Sequence, residues 1–415
     1  MFFYLKAIIT SAILFLTFFV FAKDDLDLVK KIDKYKISSS KELLDASYGF
    51  SPAIGSGITF SKFLDNGDLE FFAISDRGPN YPLKNSDNKI VLFAPSFTPK
   101  IVKVVIEQNT SAKVVSFLDI KLDGKPISGM NLNQNDQDEE LFDINLNKVK
   151  PIFGLDTESI DVLKNGDFVV GDEYYPSINI IDAKSGEIKK RLVPGDGLPE
   201  ILKNRNFNRG FEALAIAPNG KIYAILEGVV NINPSVKKTA KLIRLVEIDL
   251  DNDSTKMYAY AFDYDQYKTS DKVKIGDISA IDNENFLLVE QGPDQNNNYR
   301  NIIYKINISS ATDISKITLP SSKDLEFASL DDLSSLQINF ITKKLILNPR
   351  DYGWERDKLE GLSLIDNNTI AISNDTDFAI KGYEQKDGVI TPIIDKNEEQ
   401  TDIWIIKLKK DIKVN

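Results

Sequence analysis

Cysteine and histidine are both absent from this sequence of 415 residues. Without cysteine, the chain forms no disulfide bonds and offers no thiolate to a metal ion. Without histidine, it has no Ser-His-Asp or Cys-His catalytic group, no imidazole base and no histidine-ligated zinc. Catalysis or metal binding therefore depends on carboxylates, hydroxyls, tyrosines, lysines and arginines, or on a metal ion that oxygen atoms hold.

Positive charge is also in short supply. The chain has 51 lysines and arginines against 62 acidic residues, a formal net charge of −11, and no basic tract. We therefore expect no nucleic-acid partner, and an anionic small molecule would need local cations. The hydrophobic content of 42% is typical of a globular protein with a sizeable core. We expect a monomer without a nucleotide or other organic cofactor.

Residues 1–22 have the pattern of a secretory signal peptide. Lys6 is the only charge, residues 7–21 are apolar, and Ala22 provides a small residue for cleavage. A retained membrane anchor is the alternative, because the apolar run is nearly long enough to span a bilayer. We expect cleavage near Ala22, a mature chain of residues 23–415 without a stable membrane anchor, and a periplasmic or secreted location.

Short alternating apolar runs, separated by Asn-Gly and Asp-Asn turns, dominate the chain after residue 50. This pattern predicts an all-β architecture of hairpins. Residues 23–49 are expected to form an N-terminal arm, with a short helix as one interpretation. Residues 131–150 are acidic and rich in amides, which predicts a surface loop insertion; they lack the ligand spacing and glycine of a calcium loop. No linker divides residues 50–415, so we expect one domain.

A hairpin with one layout recurs along the chain. In GLDTESIDVLKNGDFVVGDEYY, residues 154–175, a two-residue Asn-Gly turn at 165–166 would place Glu158 directly opposite Glu173. The corresponding turns of three more hairpins would also place two acids directly opposite each other. These pairs are Glu212 with Glu227, Glu360 with Asp375, and Asp277 with Glu290. A fifth hairpin, with its turn at 66–67, places Asp76 opposite a glycine.

Opposed carboxylates need neutralisation. Like charges directly across a sheet are destabilising, and sheltered carboxylates cost more still. Either a cation lies between the two acids or one acid carries a proton. The recurrence favours a shared hard cation, and an all-oxygen ligand set favours Ca²⁺ over Mg²⁺. Asn374, beside Asp375, suits a neutral calcium ligand.

Repeats at intervals of roughly 45–65 residues, each with several short strands, are typical of β-propeller blades. Corresponding strand ends of all blades then point to one face, so the acids would form a ring around a single pocket. We expect six blades, with five to seven open, and a sixth blade from residues 90–120 or 314–350. The strand at 402–408 is expected to pair with N-terminal strands and close the ring.

Eight short motifs occur in order between about residues 50 and 380. They are SDRGPN (75–80), GLDTESID (154–161), GDEYYPSI (171–178), NRGFEALAIAPNGKIYAILE (208–227), KIGDISAI (274–281), LLVEQ (287–291), KLEGLSLI (358–365) and SNDTDF (373–378). This ordered set resembles the phytase-like family, whose domain is called esterase-like activity of phytase. The resemblance implies a secreted bacterial protein with a propeller-like fold, whose repeated acids support hydrolysis of esters or phosphoesters.

The expected activity is metal-assisted hydrolysis of a small-molecule phosphate ester, phytase-like or phosphodiesterase-like. The expected metal ligands are Asp76, Glu158, Glu173, Glu212, Glu227, Asp277, Glu290, Glu360, Asn374 and Asp375. Glu158 and Glu212 are the candidate bases for the attacking water. Arg77 and Arg209 are candidate phosphate clamps, and Lys358 is a candidate point charge. Two alternatives stay open: a calcium-dependent lactonase or carboxylesterase, and a non-catalytic, calcium-stabilised propeller that binds a ligand.

Overall fold

The computed structural model describes residues 28–38, 50, 53–86, 88–130, 139–150 and 152–413. The expected signal peptide at 1–22 lies outside these residues, as do residues 131–138 of the expected loop insertion. In the part of the chain that is described, no helix has the length and apolar character needed to cross a membrane.

Strands are the main secondary structure of the described residues. In chain order they are β1 (Val29–Ser38), β2 (Gly57–Phe63), β3 (Leu69–Ile74), β4 (Asn80–Pro82), β5 (Lys89–Leu92), β6 (Lys100–Glu107), β7 (Ser111–Asp119), β8 (Lys121–Leu122), β9 (Lys125–Pro126), β10 (Glu140–Phe142), β11 (Thr157–Val162), β12 (Phe168–Asp172), β13 (Ser177–Ile181), β14 (Ile188–Pro194), β15 (Gly197–Leu198), β16 (Phe211–Ile216), β17 (Ile222–Leu226), β18 (Ile243–Asp249), β19 (Ser254–Tyr260), β20 (Lys274–Ala280), β21 (Asn285–Pro293), β22 (Tyr299–Asn307), β23 (Thr342–Leu347), β24 (Gly361–Asp366), β25 (Thr369–Ser373), β26 (Ile380–Lys386), β27 (Val389–Ile394) and β28 (Asp402–Leu408).

Helical structure is limited to short segments in the described residues. One α-helix, α1 (Leu330–Ser335), begins with a capping box in which Ser329 and Asp332 bond to each other's backbone amides. The 3₁₀ turns are Glu200–Asn204, Val236–Lys238, Tyr264–Gln266, Ser270–Lys272, Leu325–Phe327, Pro349–Tyr352 and Asp377–Ala379.

Twenty of the strands form five antiparallel units of four, which we call blades one to five. Their strand orders are β2-β3-β6-β7, β11-β12-β13-β14, β16-β17-β18-β19, β20-β21-β22-β23 and β24-β25-β28-β1. The first strand of each blade contacts the first strand of the next, and β24 contacts β2. The first strands therefore surround a common axis, and the prediction of an all-β propeller is confirmed.

The described residues thus form five blades, inside the expected range of five to seven and one fewer than the favoured six. Neither segment considered for a sixth blade forms one. Residues 100–119 provide β6 and β7, the outer strands of blade one, and residues 342–347 provide β23, the outer strand of blade four.

The ring is closed by an N-terminal strand. Val29–Ser38 (β1) pairs antiparallel with β28 and becomes the outer strand of blade five. The predicted pairing of residues 402–408 with the N-terminal region is confirmed. The helical interpretation of the N-terminal arm is wrong over Val29–Ser38, because these residues complete the hydrogen bonds of an otherwise open sheet edge.

The hydrophobic core lies between adjacent blades. Phe72 of blade one packs edge-on against Phe168 of blade two, with ring centroids 4.8 Å apart. Tyr223 of blade three and Phe286 of blade four are 4.6 Å apart and buried. Such aromatic contacts stabilise neighbouring sheets beyond the area they bury, so they help to hold adjacent blades together.

Five further strands form a cover beside the ring, which we call the canopy. It consists of a three-stranded sheet, in the order β10-β5-β4, and the hairpin β26-β27. The hydroxyl of Tyr81 donates to the carbonyl of Lys381 at 3.1 Å and links the two parts. Within the expected loop insertion, Glu140–Phe142 forms a canopy strand instead of loop because Leu141 is buried in a small apolar cluster.

Candidate metal centre and active site

The predicted direct opposition of the acidic pairs is wrong in register. The turn at 164–166 has three residues, because the amide of Leu163 bonds to the carbonyl of Asp167 at 2.8 Å. Gly166 has a φ of 91°, the left-handed conformation that such a turn requires. A β-bulge between Thr157 and Ser159 then adds a second shift of one residue.

Both shifts recur in blade three. The amide of Ala217 bonds to the carbonyl of Lys221 around a three-residue turn, and a bulge separates Phe211 from Ala213. Glu158 and Glu212 are therefore the extra residues of equivalent bulges on neighbouring inner strands. A bulge re-aims a side chain, and these two carboxylates meet near the axis.

Nine carboxylates gather at this face of the ring. Among the described residues, carboxylate oxygens within 4.8 Å of one another form four triads, which are Asp76–Asp156–Glu158, Asp76–Asp375–Asp377, Glu158–Glu212–Glu360 and Glu173–Glu212–Glu227. Asp76, Glu158 and Glu212 each belong to two triads, so the triads interlock. The sequence analysis named seven of the nine acids and missed Asp156 and Asp377, although both lie in motifs that it quoted.

Two expected ligands lie elsewhere. Glu290 accepts hydrogen bonds from the hydroxyls of Tyr260 and Tyr267 at 2.6 and 3.2 Å, and pairs with Lys343 at 2.9 Å. Asp277 accepts from the backbone amides of Ile278 and Leu362 at 2.8 and 2.6 Å. Both carboxylates are thus occupied by bonds that link neighbouring blades, and the structure brings neither into a triad.

Asn374 also has a structural position. Its side-chain oxygen accepts from the amide of Asp402 at 2.8 Å, and its side-chain nitrogen donates to the carbonyl of Asp375 at 2.9 Å. The side chain therefore joins the end of β25 to β28, and its oxygen already has a donor.

Lysines neutralise the cluster of nine carboxylates on two sides. The ammonium of Lys358 lies 2.9 Å from Asp375, 2.7 Å from Asp377 and 3.6 Å from Glu360. Lys274, which the sequence analysis missed, forms an ion pair with Glu227. Blades four and five thus bring their own counter-ions to the acidic face.

The two candidate arginines are held by carboxylates. Both terminal nitrogens of Arg77 bond to Glu139, at 2.8 and 3.2 Å, and one of them also donates to Tyr174. Arg209 lies 3.2 Å from Glu227. Glu139 was missed because it precedes a canopy strand, far in sequence from the hairpins, and no local pattern marks it.

Burial and mutual repulsion shift the pKa values of the carboxyl groups in this cluster. They raise the pKa of Asp76, Glu158 and Glu212 well above the ordinary range for carboxyl groups. Burial, partly offset by Lys358, raises the pKa of Asp375 to about 7. Without bound cations, these carboxyl groups therefore keep their protons at pH values where free carboxyl groups are ionised.

Glu227 is an exception among the buried acids. Burial acts to raise its pKa, but the charges of Lys274 and Arg209 outweigh burial and lower it. The negative charge of Glu227 is therefore already neutralised by the chain's own cations.

A cavity of about 220 Å³ opens beside the triads. Its walls are Asp76, Arg77, Asn80, Tyr81, Pro82, Asp156, Glu158, Glu173, Asn208, Lys358, Asp377 and Ile380. The acids and Lys358 come from the ring, whereas Asn80, Tyr81, Pro82 and Ile380 come from the canopy. Glu212, Glu360 and Arg209 do not line the cavity.

The family model for phytase-like proteins, described as esterase-like activity of phytase, matches residues 54–378. The chain belongs to this phytase-like family. Membership supports a phytase-like hydrolase at the level of the family. No curated protein matches the sequence.

Several solved structures match this phytase-like protein along most of its length at low identity. An α-L-arabinofuranosidase from Podospora anserina in complex with cellotriose has 8% identity and a TM-score of 0.38, with 93% of this chain and 99% of the other covered. A luciferin-regenerating enzyme has 10% identity and a TM-score of 0.37, covering 91% and 95%. A PQQ-bound aldose sugar dehydrogenase from Streptomyces coelicolor has 10% identity and a TM-score of 0.33, covering 91% and 99%.

Proposed function

We propose that this phytase-like protein is an exported, calcium-dependent hydrolase of small phosphate esters. The observation that supports the proposal most strongly is the interlocking of four carboxylate triads beside a cavity that Lys358 and Arg77 also line. Carboxylate oxygens can hold hard cations, and the cationic side chains can attract a phosphate. The cavity volume favours a small ester.

The donor set fits calcium. The buried Oδ1 of Asp156 accepts no hydrogen bond, and a buried acceptor without a donor is costly. All nine side chains offer oxygen, the ligand atom that Ca²⁺ prefers, in numbers that a calcium site can use. Asp76, Asp156 and Glu158 would hold an ion that borders the cavity, where it would polarise a phosphate oxygen and lower the pKa of bound water.

Glu158 is the better placed of the two candidate bases. It lines the cavity, and a carboxylate that binds calcium through one oxygen keeps its other oxygen for the proton of an attacking water. Glu212 lies behind the cavity wall and joins two triads, so we assign it to cation binding.

Substrate binding rests mainly on Lys358. Two of its three N–H donors are used on Asp375 and Asp377, which leaves one for a phosphate oxygen. Arg77 contributes positive charge at the cavity wall, but its terminal nitrogens are bonded to Glu139, Tyr174 and Asn80. Arg209 lies outside the wall and stabilises Glu227.

Both arginines are already paired with carboxylates of the chain, and this favours a second candidate function. A calcium-dependent lactonase or carboxylesterase would use the same cation ligands and Glu158, but needs no bidentate clamp for phosphate. In this chain Arg77 and Arg209 are held by Glu139 and Glu227. Lactones are therefore the second substrate class to test.

The decisive experiment measures phosphate release by the purified protein from phytate and from smaller phosphate monoesters and diesters. Activity should require calcium and stop with chelator. Glu158→Gln should lower kcat at least 100-fold. The control is Glu247→Gln, which should keep the kcat of the unsubstituted protein. Glu247 is a buried acid that bonds to Lys221 and Tyr258, outside the carboxylate cluster. Equal activity of the two variants would refute the assignment of Glu158. Cleavage of lactones without phosphate release would establish the second candidate.

A further inference from the structure

The four carboxylate triads differ in the positive charge that the chain itself supplies. Lys358 lies within 3 Å of Asp375 and Asp377, two members of one triad. In the Glu173–Glu212–Glu227 triad, Lys274 and Arg209 pair with Glu227.

Among the described residues, two triads have no lysine or arginine side chain at hydrogen-bond distance. One is Glu158–Glu212–Glu360, where Lys358 lies 3.6 Å from Glu360, and the other is Asp76–Asp156–Glu158. The cation nearest to the Asp76–Asp156–Glu158 triad is the guanidinium of Arg77, which lies 3.7 Å from Asp156 and donates its hydrogen bonds to Glu139, Tyr174 and Asn80. Asp156 is 1% exposed, and its Oδ1 accepts no hydrogen bond. All three acids also line the cavity. An unpartnered buried oxygen within this triad indicates a missing positively charged ligand.

We propose that Lys358 is an internal counter-ion that excludes a divalent cation from the Asp76–Asp375–Asp377 triad and thereby directs the first calcium ion to Asp76–Asp156–Glu158. An ammonium at 2.7–2.9 Å from two carboxylates occupies the space and satisfies the charge that a calcium ion would need there. The lysine therefore sets the number and position of bound ions, and through them the side of the cavity where a phosphate meets the metal.

This inference rests on the cation-binding part of the proposed function and not on turnover. Its readout is the number of calcium ions bound per chain, measured by equilibrium dialysis and elemental analysis without substrate. Failure to hydrolyse any ester would leave this readout unaffected, so the two proposals fail separately.

Three lysine variants test the exclusion. Lys358→Met should bind one calcium ion more than the unsubstituted protein, because it frees a triad. Lys358→Arg, which keeps the charge, should bind the same number. Lys381→Met is the matched control, since Lys381 also contacts two carboxylates, Asp395 and Glu398, but outside the ring; its calcium number should not change. An unchanged or smaller number in Lys358→Met would overturn the proposal.

Two acid variants test the position of the first ion even if Lys358→Met does not fold. Asp156→Asn should weaken the tightest calcium binding at least tenfold, because it removes a ligand of the first site. Asp377→Asn should leave that affinity within about twofold, because Lys358 keeps calcium from its triad. Titration calorimetry with calcium chloride measures both. A loss in Asp377→Asn equal to that in Asp156→Asn would overturn the proposal, as would the absence of calcium binding by the unsubstituted protein.

Discussion

Without calcium, the stability of this protein should fall as the pH rises from 5 to 8. Asp375 shows why stability falls, and does not rise, with increasing pH. Burial raises its pKa from 3.8 to about 7 in the folded chain, so the folded state binds this proton more tightly than the unfolded state. The resulting stability is fully present below pH 4 and is lost as the pH rises through 7.

The magnitude follows from the shift. A difference of about three pKa units corresponds to about 4 kcal/mol at 1.36 kcal/mol per unit, of which about 2 kcal/mol is lost between pH 5.5 and 8.5. Asp375 is 4% exposed, so solvent screening does little to reduce this value. Asp76, Glu158 and Glu212 are shifted in the same direction and add to the loss. Because many domains have a stability of only 5–15 kcal/mol, the effect should be large.

The assay is urea unfolding in chelator at pH 5.5, 6.5, 7.5 and 8.5. Asp375→Asn should make the decline in unfolding free energy shallower, because its amide has no proton to lose. Asp395→Asn is the control, since hydrogen bonds from Lys381 lower the pKa of Asp395 and place its titration below this range. Stability that stays constant or rises with pH in chelator would refute the reasoning, and so would an unchanged slope in Asp375→Asn.

Three further predictions concern the metal, the core and the closure of the ring. Calcium at 100 times its dissociation constant should raise the unfolding free energy by about 2.7 kcal/mol per site, and an unchanged melting temperature would contradict this. Glu326→Gln breaks a buried pair with Arg244 and should cost about 3–5 kcal/mol, whereas Glu107→Gln on the surface should cost less than about 1 kcal/mol, both by urea unfolding. Deleting Val29–Ser38 exposes the edge of β28 and should cause self-association, detected by size-exclusion chromatography; a stable monomer would argue against closure by β1.

The convergence of most acids was predictable although their register was not. An Asn-Gly pair fits either a two-residue turn or the end of a three-residue turn, and a bulge leaves no clear mark in sequence. In blade two, the turn and the bulge each shift the pairing by one residue. A shift of one residue moves a side chain to the other face, so two shifts restore the original face. Glu158 and Glu173 therefore still reach the same site.

Asp277 and Glu290 show where the repeat pattern fails. Asp277 lies at a bulge, like Glu158, but its side chain is one methylene shorter and its carboxylate bonds to nearby backbone amides. Glu173 lies just past the end of β12, whereas β21 continues to Pro293. Glu290 therefore stays within a regular strand and points to tyrosines. Side-chain length and strand length decide both cases, and neither follows from the recurrence of acids.

The uneven charge around the ring also has a sequence signal. Arg209, Lys274 and Lys358 each lie two or three residues before the first acid of blades three, four and five. The corresponding place in blade two holds Leu155 and Asp156. A chain without histidine that builds its site from carboxylates must neutralise them, and here the chain does so itself on three blades. The cavity-lining acids Asp76, Asp156 and Glu158, on blades one and two, have no such lysine or arginine and need an ion from outside, which is why we place the first calcium beside them.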